Sequence, residues 1–210
     1  MDKKIKLYNR LAVFVLFIGF PLLFWGVDDV PKRSILKETL SVLTLLSFSF
    51  MLLEFYLIRS TRFLFKEHTR SNVLKWHKAI GYIFVSILLL HPFFVVLPRY
   101  VEAGVDPVDA FVTMVTTVDS LGVLLGLIAW FLLLLIGLTS FFRKQLPFSY
   151  KTWRIVHGLL AIVFIVIASW HALTLGRHMH KLLALFVLLI GGMGVFFVLK
   201  MYFTTRTKKA

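Results

Sequence analysis

Cysteine is absent from all 210 residues. Its absence excludes disulfides, iron–sulfur clusters, thiolate-ligated haem and covalent C-x-x-C-H haem attachment, and leaves histidine as the main residue able to hold a metal or a haem. Acidic residues are scarce as well, 10 Asp plus Glu against 24 Lys plus Arg, for a formal net charge of +14. A surplus of that size can signal nucleic acid, but no soluble basic domain is present to carry it, so no nucleic-acid partner is expected. The simpler source of the charge is a set of basic loops between membrane spans.

Long apolar runs are what the chain has in abundance. A mean hydropathy of +0.87 and 22 phenylalanines exceed what a soluble domain of this length could hide. The runs lie at about 11–27, 39–58, 77–97, 121–142, 153–175 and 182–203, each near the ~20 residues that a ~30 Å hydrocarbon core requires. The expected fold is therefore an all-α integral membrane protein, one domain over 1–210 with six transmembrane helices. The first run is interrupted by Pro21 and ends without an A-x-A-like site, so it is expected to be an uncleaved anchor rather than a signal peptide. Lys and Arg number 18 on the side of the two termini and the second and fourth loops, and 6 on the other. That asymmetry predicts both termini in the cytoplasm and a multi-pass protein of the cell (inner) membrane. The external loop 98–120 contains Asp106-Pro107, an N-cap followed by proline, then apolar residues at helical spacing. A short amphipathic helix at about 107–118 on the outer surface is one expectation, and a plain connector is the other.

Two stretches carry the chemistry. Residues 76–92, WHKAIGYIFVSILLLHP, hold His77 and His91; residues 153–171, WRIVHGLLAIVFIVIASWH, hold His157 and His171. Both pairs are fourteen apart, a helical step about 40° short of four turns that climbs roughly 21 Å. Each pair therefore occupies nearly one helix face at two depths, and the charge-derived topology puts His77 level with His157 and His91 level with His171. Imidazole inside hydrocarbon is costly and marks a ligand, a relay or a counter-ion site. Haem iron takes one axial nitrogen on each side of its plane, so two helices offering histidine at two heights suit two bis-His haems in a helical bundle. A membrane transporter using these histidines as a proton relay or transition-metal ligands remains open, as does a structural role. No Asp or Glu lies in the third to fifth runs to partner a relay.

Neighbouring residues extend the haem reading, each with a blander counterpart. Gly81 and Gly158 leave room for a flat macrocycle, or are ordinary small-residue packing. Phe84 and Phe164, seven residues past the inner histidines, are candidates to fill the gap between two rings, with Trp170 as an alternative. Lys78, Arg154, Lys75 and Arg59 on the inner side, and Arg99 and Arg177 on the outer, are candidate propionate partners or headgroup anchors. Glu54 reads either as a proton relay or as a carboxylate snorkelling to Arg59 or Arg62. His178 and His180 are expected in a solvated outer turn, where they could meet an exogenous metal, and His68 in a cytoplasmic loop.

Over about residues 35–200 the chain resembles the ferric-reductase-like transmembrane domain shared by NADPH oxidases, ferric-chelate reductases and the haem membrane subunit of the bacterial periplasmic methionine sulfoxide reductase system. The likeness rests on six helices with both ends inside and on the quartet His77, His91, His157 and His171. Respiratory-chain cytochrome b uses a similar spacing on two helices. The resemblance implies a haem b subunit carrying electrons across the membrane through two haems. Within these 210 residues there is no G-x-G-x-x-G and no flavin-binding barrel. The expected donor is therefore a separate cytoplasmic flavoprotein reductase or a quinol, with flavin bound only through a partner or loosely. The expected acceptor is a ferric chelate, oxygen or a periplasmic reductase. Length favours the methionine sulfoxide reductase subunit, whereas the intact quartet favours the two-haem oxidase and reductase branch.

Overall fold

In hydrocarbon no water is present to satisfy a backbone N–H or C=O, so an apolar run of this length can cross only if its hydrogen bonds close within the segment. The computed structural model, which describes residues 3–59 and 70–207 with side chains at 7–57 and 71–203, meets that condition with helices alone; no strand occurs among the described residues. In order they are α1 (Lys3–Phe14), a π-helical turn (Val15–Gly19), α2 (Phe20–Gly26), α3 (Ile35–Arg59), α4 (Arg70–Ala103), α5 (Pro107–Thr116), α6 (Leu121–Phe141), α7 (Tyr150–Leu175) and α8 (Lys181–Thr207). Six segments are long and apolar enough to span: Leu7–Gly26, Ile35–Leu57, Ser71–Ala103, Leu121–Phe141, Tyr150–Leu175 and Lys181–Phe203. The protein is a multi-pass helical membrane protein. Its helices outrun the apolar stretches because the polar flanks keep helical geometry until a residue stops them. α4 continues to Ala103, where Gly104 at φ 66 takes the left-handed turn and the N–H groups of Gly104 and Val105 close on the carbonyls of Tyr100 and Arg99. Ser120 and Ser149 cap α6 and α7 by accepting from Val123 N and Thr152 N. Asp106 caps α5, accepting from Val108 N at 2.8 Å and Asp109 N at 3.0 Å.

The helices form two compact units. The first comprises the described residues of Met1–Asp29, Leu45–Phe84 and His180–Ala210, and the second Val30–Thr44 and Val85–Met179. In the first unit, Leu52, Leu53 and Leu57 of α3 are buried with Phe17, Leu183 and Val187. The Tyr56 hydroxyl donates to the Ile190 carbonyl at 2.6 Å and ties α3 to α8. In the second unit α6 and α7 form an antiparallel hairpin, and α5 is held to α4 by Phe111 stacked on Phe93, ring centroids 5.1 Å apart.

Proline accounts for the irregular first span. Pro21 has no N–H for the carbonyl four residues back, that of Phe17, and its ring crowds the preceding turn. The helix widens just upstream into the π turn, where Phe20 N–H reaches Val15 O. Ser49, buried on α3, donates its hydroxyl to the Phe17 carbonyl at 2.8 Å. In α4, Pro92 likewise withdraws a donor from Leu88, and Trp130 Nε1 of α6 donates at 2.9 Å to the adjacent carbonyl of Leu89. A side chain from a neighbouring helix thus stands beside Pro21 and beside Pro92. Ser49→Ala should cost about 1–3 kcal/mol, the range for leaving a buried acceptor unsatisfied. Pro21→Ala, which restores the N–H, should shrink that cost in the double mutant, as read from thermal unfolding of the detergent-solubilised protein.

Candidate functional site

The four histidines of the α4 and α7 spans share one chemical arrangement. Each turns its Nδ1 toward an oxygen of a neighbouring helix. His171 Nδ1 lies 2.8 Å from the Gly122 carbonyl at the start of α6. His91 Nδ1 lies 3.2 Å from Thr44 Oγ1 on α3, and His157 Nδ1 lies 3.2 Å from Ser140 Oγ on α6. His77 Nδ1 pairs with the carboxylate of Glu54 on α3.

The network also fixes where the protons are. A carbonyl can only accept, so His171 donates from Nδ1, and His77 does the same to Glu54 where that acid is ionised. The two hydroxyls have already committed their hydrogens one turn back along their own helices, Thr44 to Leu40 O at 2.8 Å and Ser140 to Ile136 O at 2.7 Å. Each hydroxyl oxygen therefore accepts, and His91 and His157 donate from Nδ1 as well. A neutral imidazole with its hydrogen on Nδ1 carries its lone pair on Nε2, the outer ring nitrogen, and this is the form that ligates a metal.

Close helix packing makes these bonds possible. A Cβ placed on Gly126 would fall 2.6 Å from His171 Cε1, and one on Gly122 would fall 2.7 Å from Leu175 Cγ. Gly122 and Gly126 form a G-x-x-x-G step that lets the His171 ring lie against the α6 backbone. Trp153, one turn before His157, stacks on that imidazole with ring centroids 5.0 Å apart and donates its Nε1 to Thr139 O at 3.1 Å. Arg143 sits over the rings of Tyr150 and Trp153, 4.9 and 5.2 Å from their centroids.

His91 and His171 both belong to the second unit. His77 belongs to the first unit and His157 to the second, each with its own acceptor. Among the described residues no group of three or more His, Asp or Glu is placed to hold a metal ion, so the quartet is not a single cage. Phe84 stacks on Phe50, centroids 4.2 Å apart and rings 4° from parallel, while Phe164 is buried in the second unit. Trp170 is exposed, and a Cβ on Gly81 would meet no other part of the chain within 4 Å. Lys75, Lys78 and Arg99 are exposed, and Arg154 is half-buried and engaged with neighbours. Arg177 donates to the Pro31 carbonyl at 2.8 Å.

Three sequence expectations change. Glu54 is buried against His77 instead of snorkelling; the side chains of Arg59 and Arg62 lie outside the described residues, as does His68. His178 is buried rather than solvated, its Nε2 3.1 Å from Glu38, which also accepts from Arg33 N and Nε. His180 caps α8, with Leu182 N and Leu183 N donating to its Nδ1 while its Nε2 donates to Phe24 O at 2.7 Å. A turn that looks like free metal ligands in sequence is spent on holding helix ends together. Thr44, Ser140 and the Gly122–Gly126 step escaped the sequence reading. The G-x-x-x-G spacing was the available signal, whereas the two hydroxyls look like any Ser or Thr in an apolar run.

Six spans, an all-helical body and paired histidines on two of those spans describe a multi-pass membrane protein whose span imidazoles are each held by a residue of a neighbouring helix. Residues 43–168, more than half of the chain, match the model of the ferric reductase like transmembrane component, and the protein belongs to that family. It is 42% identical over 152 residues, 71% of this chain and 82% of the relative, to a protein of Archaeoglobus fulgidus described as uncharacterized. No solved structure matches it.

Gly126→Ala should drive the added methyl into the His171 ring and destabilise the α6–α7 hairpin by about 1–3 kcal/mol, the usual cost of overpacking. Thermal unfolding in detergent is the measurement, with Gly126→Ser of similar size as a second probe.

Proposed function

We propose that the protein is a haem b electron-transfer subunit of the cell membrane, with two haems held by the histidine quartet. His77 and His157 would hold an inner haem, and His91 and His171 an outer haem. The pairing follows from the charge-derived topology with both termini in the cytoplasm. The observation that carries the reading is the common use of Nδ1: four imidazoles on two spans each donate from Nδ1, which presets Nε2 as the ligating nitrogen. Haem iron supplies a one-electron Fe(III)/Fe(II) couple.

The chain's own residues do the rest. Thr44, Ser140, Gly122 and Glu54 hold the four ring orientations, and Gly126 gives the His171 ring its seat against α6. The apolar spans exclude water from the ligands, which keeps their environment at low dielectric. Phe84 and Phe164 lie midway along each histidine pair in sequence and are proposed to separate the two haems. Lys78, Arg154 and Arg99 are proposed to meet propionates, while the bond from Arg177 to Pro31 makes it the weakest of these candidates. The donor is a separate cytoplasmic flavoprotein reductase or a quinol, and the acceptor a ferric chelate, oxygen or a periplasmic reductase. Flavin enters through a partner or by loose binding.

One observation favours a second reading. A buried carboxylate paired with an imidazole, Glu54 with His77, is also what a proton-relaying transporter would use. The two readings separate on one preparation. The electron-transfer reading expects about two reducible haems per chain with a low-spin bis-imidazole spectrum, and His91→Ala with His171→Ala should remove about half of the haem. Protein expressed with ample haem that shows no reducible haem, but supports pH-dependent flux in proteoliposomes, would transfer the assignment to transport.

A further inference from the structure

The four Nδ1 acceptors are not equivalent. Three are neutral: the Thr44 hydroxyl, the Ser140 hydroxyl and the Gly122 carbonyl. The fourth, facing His77, is the carboxylate of Glu54, a buried acid on α3. A carboxylate accepting from Nδ1 pulls the imidazole toward imidazolate character and makes Nε2 a stronger electron donor. It also adds a negative charge at low dielectric, where charge acts over longer range than in water. Both effects stabilise a ferric over a ferrous iron. A hydroxyl or carbonyl does neither to the same degree.

We propose that Glu54 is a positioning residue acting through His77, which gives the iron held by His77 a lower reduction potential than the iron held by His91 and His171. The inference rests on the haem reading above and adds a direction to it. With haem bound at both levels, one electron would pass from a ferrous iron held by His77, leaving it ferric, to a ferric iron held by His91 and His171, leaving it ferrous. The move is downhill. The flavoprotein or quinol donor refills the first level, and the ferric, oxygen or protein acceptor drains the second. Glu54 touches neither donor nor acceptor. Its work is done by a charge placed behind one ligand of four. The geometry also accounts for why a carboxylate is kept inside an apolar span at all. An isolated one would cost several kcal/mol there, whereas one bonded to a ligand N–H is partly compensated.

The test is a redox potentiometric titration of the haem-loaded full-length protein, followed in the haem absorption bands and by electron paramagnetic resonance of the low-spin ferric signals. Wild type is expected to titrate as two one-electron components. Glu54→Gln keeps a hydrogen-bond acceptor but removes the charge. It should raise the lower component about tenfold in its ratio of reduced to oxidised forms, about 59 mV for one electron, and leave the upper one in place. The ferric signal of the lower component should shift with it, and Glu54→Asp should move both back toward wild type. The variant His91→Ala with His171→Ala supplies an independent check that does not require Glu54 variants to fold, because it should delete the upper component and spare the lower. An unmoved lower component in Glu54→Gln, or loss of the lower component in the double histidine variant, overturns the inference while leaving the two-haem reading intact. Wild type without reducible haem overturns both.

Discussion

A polar hydrogen inside a hydrocarbon slab has no water to turn to, and that constraint runs through every part of this protein. Where proline deletes a backbone donor in the first span, Ser49 supplies a hydrogen to the stranded Phe17 carbonyl. Beside Pro92, Trp130 donates to the carbonyl of Leu89, next to the Leu88 carbonyl that the proline leaves open. The four span histidines pose the opposite problem, a side-chain N–H that needs an acceptor. Each finds one on a neighbouring helix. Structural and functional sites are thus built by the same rule, and the lateral positions of the helices are set by polar bonds as much as by apolar packing.

For the histidines the rule has a chemical consequence. A ring that donates from Nδ1 has a fixed tautomer and a fixed orientation before any ligand arrives, and an oriented ligand loses less entropy on binding a metal. The neighbouring hydroxyls are themselves held, because Thr44 and Ser140 bond back to carbonyls of their own helices. For His91 and His157, two layers of bonds separate Nε2 from the freedom it would have in an unsupported side chain. The G-x-x-x-G step belongs to the same device, since a Cβ on Gly126 would displace the ring that the Gly122 carbonyl orients, and one on Gly122 would meet Leu175 and Thr174 beside it.

The loop-end contacts show what happens to histidines outside the spans. His178 joins Glu38 and Arg33 in a buried cluster, and His180 caps α8 while anchoring Phe24. Neither resembles the quartet in its bonding, because His180 uses Nδ1 as an acceptor and Nε2 as a donor. The direction of the Nδ1 bond, more than the mere presence of imidazole, divides His180 from the four span histidines. Within the four, Glu54 is the one acid among the Nδ1 partners, and it faces His77.

Much of the fold was legible in the sequence. Apolar runs near twenty residues long can do little in a membrane except form helices, so six spans follow from composition and length. The fourteen-residue step between His77 and His91, and between His157 and His171, needs only helical geometry to place each pair on one face. Membership of the ferric reductase like transmembrane family agrees with the resemblance read from the sequence. Partners from distant parts of the chain were not legible. Glu54 meets His77 across 23 positions, Thr44 meets His91 across 47, and Gly122 meets His171 across 49. Nothing in local periodicity says which of many buried hydroxyls, carbonyls or acids will face a given ring. The sequence by itself determined helices and spans, because those depend on neighbours along the chain. Tertiary structure alone decided which nitrogen of each imidazole is held and by what charge, because a hydrogen bond between helices depends on ångström-scale approach that helical periodicity does not encode.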